Sequence, residues 1–122
     1  MFASVYSLLN KHTAIKEELG DPLRVYSFNE APPDPPTPYV VWQYIGGNPY
    51  NHLFERPTTD LESIQIDVYA SDGVIAKRVT KLVILAIEGL HYVTSYHGSM
   101  TDPDTGLARV SFDVEMHSYR DE

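Results

Sequence analysis

Cysteine is absent from the chain, which removes disulfide bonds, thiol catalysis and thiolate metal sites together. That fits a reducing compartment. Basic residues are scarce: 9 Lys and Arg stand against 17 Asp and Glu, a formal net charge of −8. A surface of that sign repels phosphate backbones and disfavours a nucleic-acid reader that works by neutralising them. It still suits a protein past which DNA slides without sticking. Long apolar runs are missing too. The strongest, residues 79–90, is broken by Lys81 and Glu88 and cannot span a bilayer, so no membrane association is expected. No basic region precedes an apolar run at the N-terminus, and no signal peptide is expected. The chain also lacks GxSxG, a Walker loop, GxGxxG and HExxH. His12, His52, His91, His97 and His117 show no ligand spacing, so zinc is not expected.

What is present is a folding composition, with 43% hydrophobic and 21% charged residues. At 122 residues the chain is long enough for one domain with one core, and residues 1–122 are read as a single domain. Phe2, Val5, Tyr6, Leu8 and Leu9, then Ile15 and Leu19, have helical spacing. This predicts one helix, or a helix broken near residues 11–13, stopped by Gly20-Asp21-Pro22. Residues 23–28 are rich in β-formers and predict a short strand. Five of the nine prolines fall in Glu30-Ala31-Pro32-Pro33-Asp34-Pro35-Pro36-Thr37-Pro38, an extended connector without ladder donors. It contains a PxxP spacing but no basic residue to orient it on an SH3-type domain, so it is read as a stiff spacer.

Residues 39–45 predict a strand apolar on both faces, ended by Gly46-Gly47-Asn48-Pro49. The polar stretch to Asp60 predicts a loop or a long hairpin tip, and Gly46 to Asp60 is expected to be mobile in the free subunit and to order on assembly. Strict alternation at Ile64, Ile66 and Val68 predicts the next strand over residues 61–70. Ser71 or Asp72 is a suitable N-cap for a helix whose stripe is Ile75, Val79, Leu82, Val83, Ala86, Ile87 and Leu90. Residues 92–100 and 107–118 predict two strands joined through the turn-rich Thr101-Asp102-Pro103-Asp104-Thr105-Gly106. The order predicts an α+β fold: a mainly antiparallel sheet with two main helices packed on one face.

Asp67, Asp113, Glu115 and His117 would share the other face if their strands are close. Such a group can bind a divalent metal or transfer protons. A two-acid-plus-lysine nuclease site, however, needs lysine where His117 stands. The group is read as the solvated side of alternating strands. No catalytic, metal or cofactor-binding residue is assigned, and a non-enzymatic protein is expected. The aromatic residues stand out more. Tyr39, Trp42, Tyr44, Tyr50, Tyr69, Tyr92, Tyr96 and Tyr119 exceed what one small core holds with every hydroxyl satisfied, and aromatics with a polar tip favour interfaces. The candidate subunit or partner interface is Tyr39, Trp42, Tyr44, Tyr50, His52, Phe54 and Tyr69.

The helix ending in Leu19-Gly20, then Arg24-Val25-Tyr26, Pro38-Tyr39-Val40-Val41, Ile64-Gln65-Ile66-Asp67-Val68-Tyr69-Ala70 and the following helix resemble the small tail completion proteins of long-tailed phages. These are also described as tail terminators or head-to-tail joining proteins. The resemblance covers nearly the whole chain in order and spacing, and departs from the pattern in the run from Pro32 to Pro38. It implies a structural phage or prophage protein that forms a ring, usually a hexamer, at the head-facing end of the tail tube. Its partners would be itself, the tail tube protein and the head connector proteins, with DNA passing through the lumen without sequence-specific binding. The place implied is the head–tail interface of the virion, after assembly in the bacterial host cytoplasm. No catalytic residues carry over from the family. The alternative is a small non-enzymatic adaptor that binds a protein through its aromatic strand or proline-rich loop.

Overall fold

The structure, a computed structural model, describes residues 5–47, 59–88 and 92–119. Its elements run α1 (Val5–Leu9), α2 (Thr13–Leu19), β1 (Val25–Ser27), β2 (Tyr39–Gly47), β3 (Thr59–Ala70), α3 (Gly73–Ile87), β4 (Tyr92–Thr101) and β5 (Ala108–Tyr119). The five strands form one sheet in the order β1-β2-β3-β5-β4. All pairings are antiparallel except β1 with β2, which is parallel. The expected α+β class and strand order along the chain are therefore found. The N-terminal segment is a helix broken between Leu9 and Thr13, one of the two expected forms, so that with α3 the described residues hold three helical segments.

The local reasons are visible in the sequence. Asp72 caps α3, its Oδ1 accepting from the Ile75 backbone N–H at 2.9 Å, which satisfies a donor the helix cannot. Gly20 ends α2 at φ +87°, and a Cβ there would meet Arg24 Nη1 at 2.6 Å. Glycine permits both the turn and the close approach. Arg24 then staples three segments: its Nε donates to Pro38 O at 2.9 Å and its Nη2 to Glu18 O at 3.0 Å. The proline-rich connector thus enters β2 from a fixed point.

Register decides which side chains meet the helices. Ile64, Ile66 and Val68 of β3 lie opposite Val114, Phe112 and Val110 of β5, and Val40 of β2 lies opposite Val68. Partners across a ladder point to the same face. Val40, Ile64, Ile66, Val68, Phe112 and Val114 join Val5, Leu9, Ile15, Leu19, Val79, Val83 and Ile87 in one buried cluster. The stripe at 79, 83 and 87 is the inner side of α3, repeating at the helical period. Thr80 is buried among these residues and is satisfied by donating its hydroxyl to Ala76 O at 2.7 Å.

Two boundaries differ from expectation. β2 continues through Gly47, with a register irregularity between Tyr44 and Gly46, and β3 starts at Thr59. Pairing across the ladder outweighs the turn signal of Gly46-Gly47. Of the expected assembly loop, Gly46, Gly47, Thr59 and Asp60 belong to strands, and residues 48–58 lie outside the described residues, as do His91 and the C-terminal residues from 120.

Phe112 is fully buried at the centre of the core. Phe112→Ala is expected to cost about 3–5 kcal/mol through lost transfer energy and a residual cavity. Urea denaturation should show a lower midpoint with an unchanged slope.

Candidate subunit interface

The alternate residues of the same strands build the second sheet face, to which no residue of the helix-packed cluster contributes. Its rows follow from the register: Tyr39, Tyr69 and Arg109; Val41, Asp67 and Ser111; Gln43, Gln65 and Asp113; Ser63 and Glu115. Tyr39 and Tyr69 stack, with centroids 4.9 Å apart and planes 14° from parallel. Tyr26 adds a tilted ring at 6.4 Å from Tyr39, and Arg109 Cζ lies 5.8 Å from the Tyr69 centroid. Stacked rings and a guanidinium beside a ring face are both favourable arrangements.

Asp67 is not a solvated strand position, as its alternation suggested. It is 6% exposed, and both of its oxygens are engaged. Arg109 Nη2 contacts Oδ2 at 3.3 Å, while Gln65 Nε2 donates to Oδ1 at 3.2 Å. A carboxylate held this way is compensated by a cation and an amide rather than by solvent. Asp113 sits two rungs along and meets His97 Nε2 through Oδ2 at 3.0 Å. Asp67, Asp113 and Glu115 do share a face, whereas the side chain of His117 lies outside what the structure describes. The imidazole that reaches Asp113, however, is His97, carried by an irregularity of β4 between Tyr96 and Gly98. Among the described residues no three potential ligands form a metal-holding group.

The aromatic residues expected at an interface divide between the two faces. Tyr39 and Tyr69 lie on the face just described. Trp42 and Tyr44 pair with Ile66 and Ile64, and so point to the helix side. There they meet edge to face at 5.3 Å and 82°, with Trp42 packed against the core and Tyr44 exposed. Tyr50, His52 and Phe54 lie outside the described residues. Arg109 was not anticipated, although its place in the alternation Arg109, Ser111, Asp113 puts a cation among acids on the outward parity.

What these side chains offer is an ordered surface of rings, amides and a neutralised ion pair, without an activated nucleophile. Such groups, on a sheet face whose opposite side holds the core, are suited to contact with another surface. The comparison with known families is specific about the kind of protein. The chain belongs to the family of the tail completion protein gp17, whose model matches residues 3–117. It is accordingly a structural protein of a phage-type tail, located in the virion. A chain from the virion of a native gene transfer agent particle has the same fold, with a TM-score of 0.69 over 95% of this chain and 92% of that one, at 14% identity. No curated protein matches in a sequence comparison.

Two predictions come from this face. Arg109→Met strips a buried carboxylate of its cation and should destabilise the fold by about 3–5 kcal/mol in urea denaturation. Adding Asp67→Asn should return a large part of that loss, because the uncompensated charge disappears. Burial also raises the hydroxyl of Tyr39 above the ordinary tyrosine value of 10.0, with Asp102, Asp34 and Tyr26 adding to the effect. Burial raises that of Tyr69 as well, against the opposing pull of Arg109. A raised folded-state value favours the neutral form in the fold. That stability is fully present below the unfolded value of 10.0 and is lost as pH climbs through the folded values. Ultraviolet phenolate titration should reveal a late-titrating fraction that Tyr39→Phe and Tyr69→Phe diminish.

Proposed function

We propose that this protein closes the head-facing end of the tail tube as a ring, a hexamer, and provides the surface on which the head connector docks. The observation that carries the reading is the family match, which runs through nearly the whole chain rather than through one motif. The geometry supports it in a second way. A closed ring is built from a heterologous contact, in which two different patches of each subunit meet. This subunit has two unlike surfaces: a polar, aromatic sheet face and an outer helix layer.

Charge supports the same role. A net charge of −8 gives the ring wall the sign of DNA, so a genome passing through the lumen is repelled rather than trapped. The partners are then further copies of the chain, the tail tube protein and the connector. No reaction is part of the role, because capping a polymer and bridging two assemblies require complementary surfaces alone.

Negative-stain microscopy of the purified protein mixed with tail tubes tests this reading. Six-fold rings, or a distinct cap at one end of each tube, are expected. Bare tube ends beside a persistent monomer would refute it and leave a one-to-one adaptor as the better description.

A further inference from the structure

The proline-rich connector is the part of the sequence that capping and bridging leave unused. Arg24 holds it at Pro38 O, so the segment reaches the sheet at the start of β2. Register then decides what it meets. Tyr39 is level with Tyr69 and with Arg109, one residue into β5, and so stands beside the β4–β5 turn. That turn is pinned: the Asp102 N–H donates to Leu107 O at 2.8 Å, and Asp102 Oδ2 accepts from the Thr105 hydroxyl at 2.7 Å. Between connector and turn lies a cavity of about 330 Å³. Asp34, Pro35 and Thr37 wall one side, Asp104 and Leu107 the other, and Tyr39 reaches it from the sheet.

Two observations point to a ligand here. Tyr39 is only 7% exposed, yet its hydroxyl has no hydrogen-bond partner among the described residues. A polar tip buried without a partner costs free energy that an occupant would return. Asp34 and Asp102 both act on that hydroxyl, which locates the oxygen on the acidic side of the cavity. The acids are the second observation. Among the described residues no cation pairs with Asp34, Asp102 or Asp104. Arg24 and Arg109, at the same end of the sheet, are engaged elsewhere: Arg24 with Pro38 O and Glu18 O, Arg109 with Asp67.

We propose that this cavity receives an arginine side chain from a protein partner. Carboxylates without a counter-ion call for a cation, and the phenol oxygen can accept an N–H. Pro35 and Leu107 offer apolar wall along which an arginine stem can lie. A planar guanidinium carries donors enough for two carboxylates and a hydroxyl at once, whereas an ammonium is a compact point charge. A metal ion fits less well, because among the described residues no three potential ligands converge. DNA has the wrong sign. That the partner is a tail or connector protein rests on the assembly reading; the preference for a guanidinium does not.

Nuclear magnetic resonance spectra of the full chain, titrated with N-acetyl-arginine amide, test the pocket directly. Saturable shifts confined to residues 34–39 and 102–107 are expected, and the neutral isostere N-acetyl-citrulline amide should cause none. Asp34→Asn/Asp104→Asn should abolish them. Both positions are exposed, and asparagine tolerates the φ of 46° at residue 34, so the variant should keep the parental circular dichroism. Tyr39→Phe should weaken binding about tenfold, the scale of one hydrogen bond to a charged group. Equal shifts from N-acetyl-lysine amide, or tighter binding of magnesium or calcium ions, overturn the choice of guanidinium. Absent or diffuse shifts overturn the pocket while the capping reading stands. If Asp34→Asn/Asp104→Asn joins tail tubes and connectors as well as the parent does, the assembly partner is overturned. A parent that shows the shifts yet caps no tube removes the capping reading and leaves the pocket.

Discussion

The ladder between β3 and β5 is the constraint on which the rest of the molecule depends. It pairs Thr59–Ala70 with Ala108–Tyr119 over twelve consecutive partners without an irregularity, whereas the two flanking antiparallel ladders are interrupted. Side chains in a strand alternate, so this register sets both faces of the domain at once. Ile64, Ile66, Val68, Val110, Phe112 and Val114 are all fully or almost fully buried on one side. A slip of β5 by one residue would turn Asp113 and Glu115 into that core, where nothing could satisfy them. The helices add mass above a surface whose identity the ladder has already fixed.

The Arg109–Asp67 pair belongs to the same constraint from the other side. Arg109 is opposite Tyr69, one row from Asp67, so the pair exists in this register and not in a shifted one. Burying an ion pair contributes little net stability, because desolvation offsets much of the attraction. Breaking it is costly. That asymmetry penalises misalignment more than it rewards the native state, which is useful where the apolar residues alternate so evenly that a slip by two residues keeps them on the core face.

Much of this could be read in the chain, and the failures have physical causes. Period-two alternation at Ile64, Ile66 and Val68 and at Val110, Phe112 and Val114 is a direct consequence of strand geometry, and it located both central strands. The helical stripe at Val79, Val83 and Ile87 and the Asp72 cap were equally local. Sheet order was not, since nothing within β1 specifies a parallel partner and nothing within β5 specifies β3 as a neighbour. Asp67 was read as solvated because alternation tells which face a residue takes, but not whether Arg109 and Gln65 will enclose it there. The aromatic interface set was assembled by composition rather than parity. Tyr39 and Trp42 are three residues apart on one strand, which places them on opposite faces, and the structure divides them accordingly.

In the proposed ring, each subunit has to stay dispersed before assembly and still present a firm contact surface. Its 122 residues supply helices enough for a core on one sheet face, and the second face is built from rings, amides and paired charges. Such groups tolerate water before assembly. They are also already ordered: Tyr39 is fixed by Tyr69, Tyr69 by Arg109, and Arg109 by Asp67. Side chains that are immobile beforehand lose little entropy on docking, so modest contact energy suffices for a specific join. An apolar face of equal area would bind more strongly and less selectively, and would aggregate before its partner arrived. Polarity with preorganisation is therefore the physical solution that the proposed assembly role would call for.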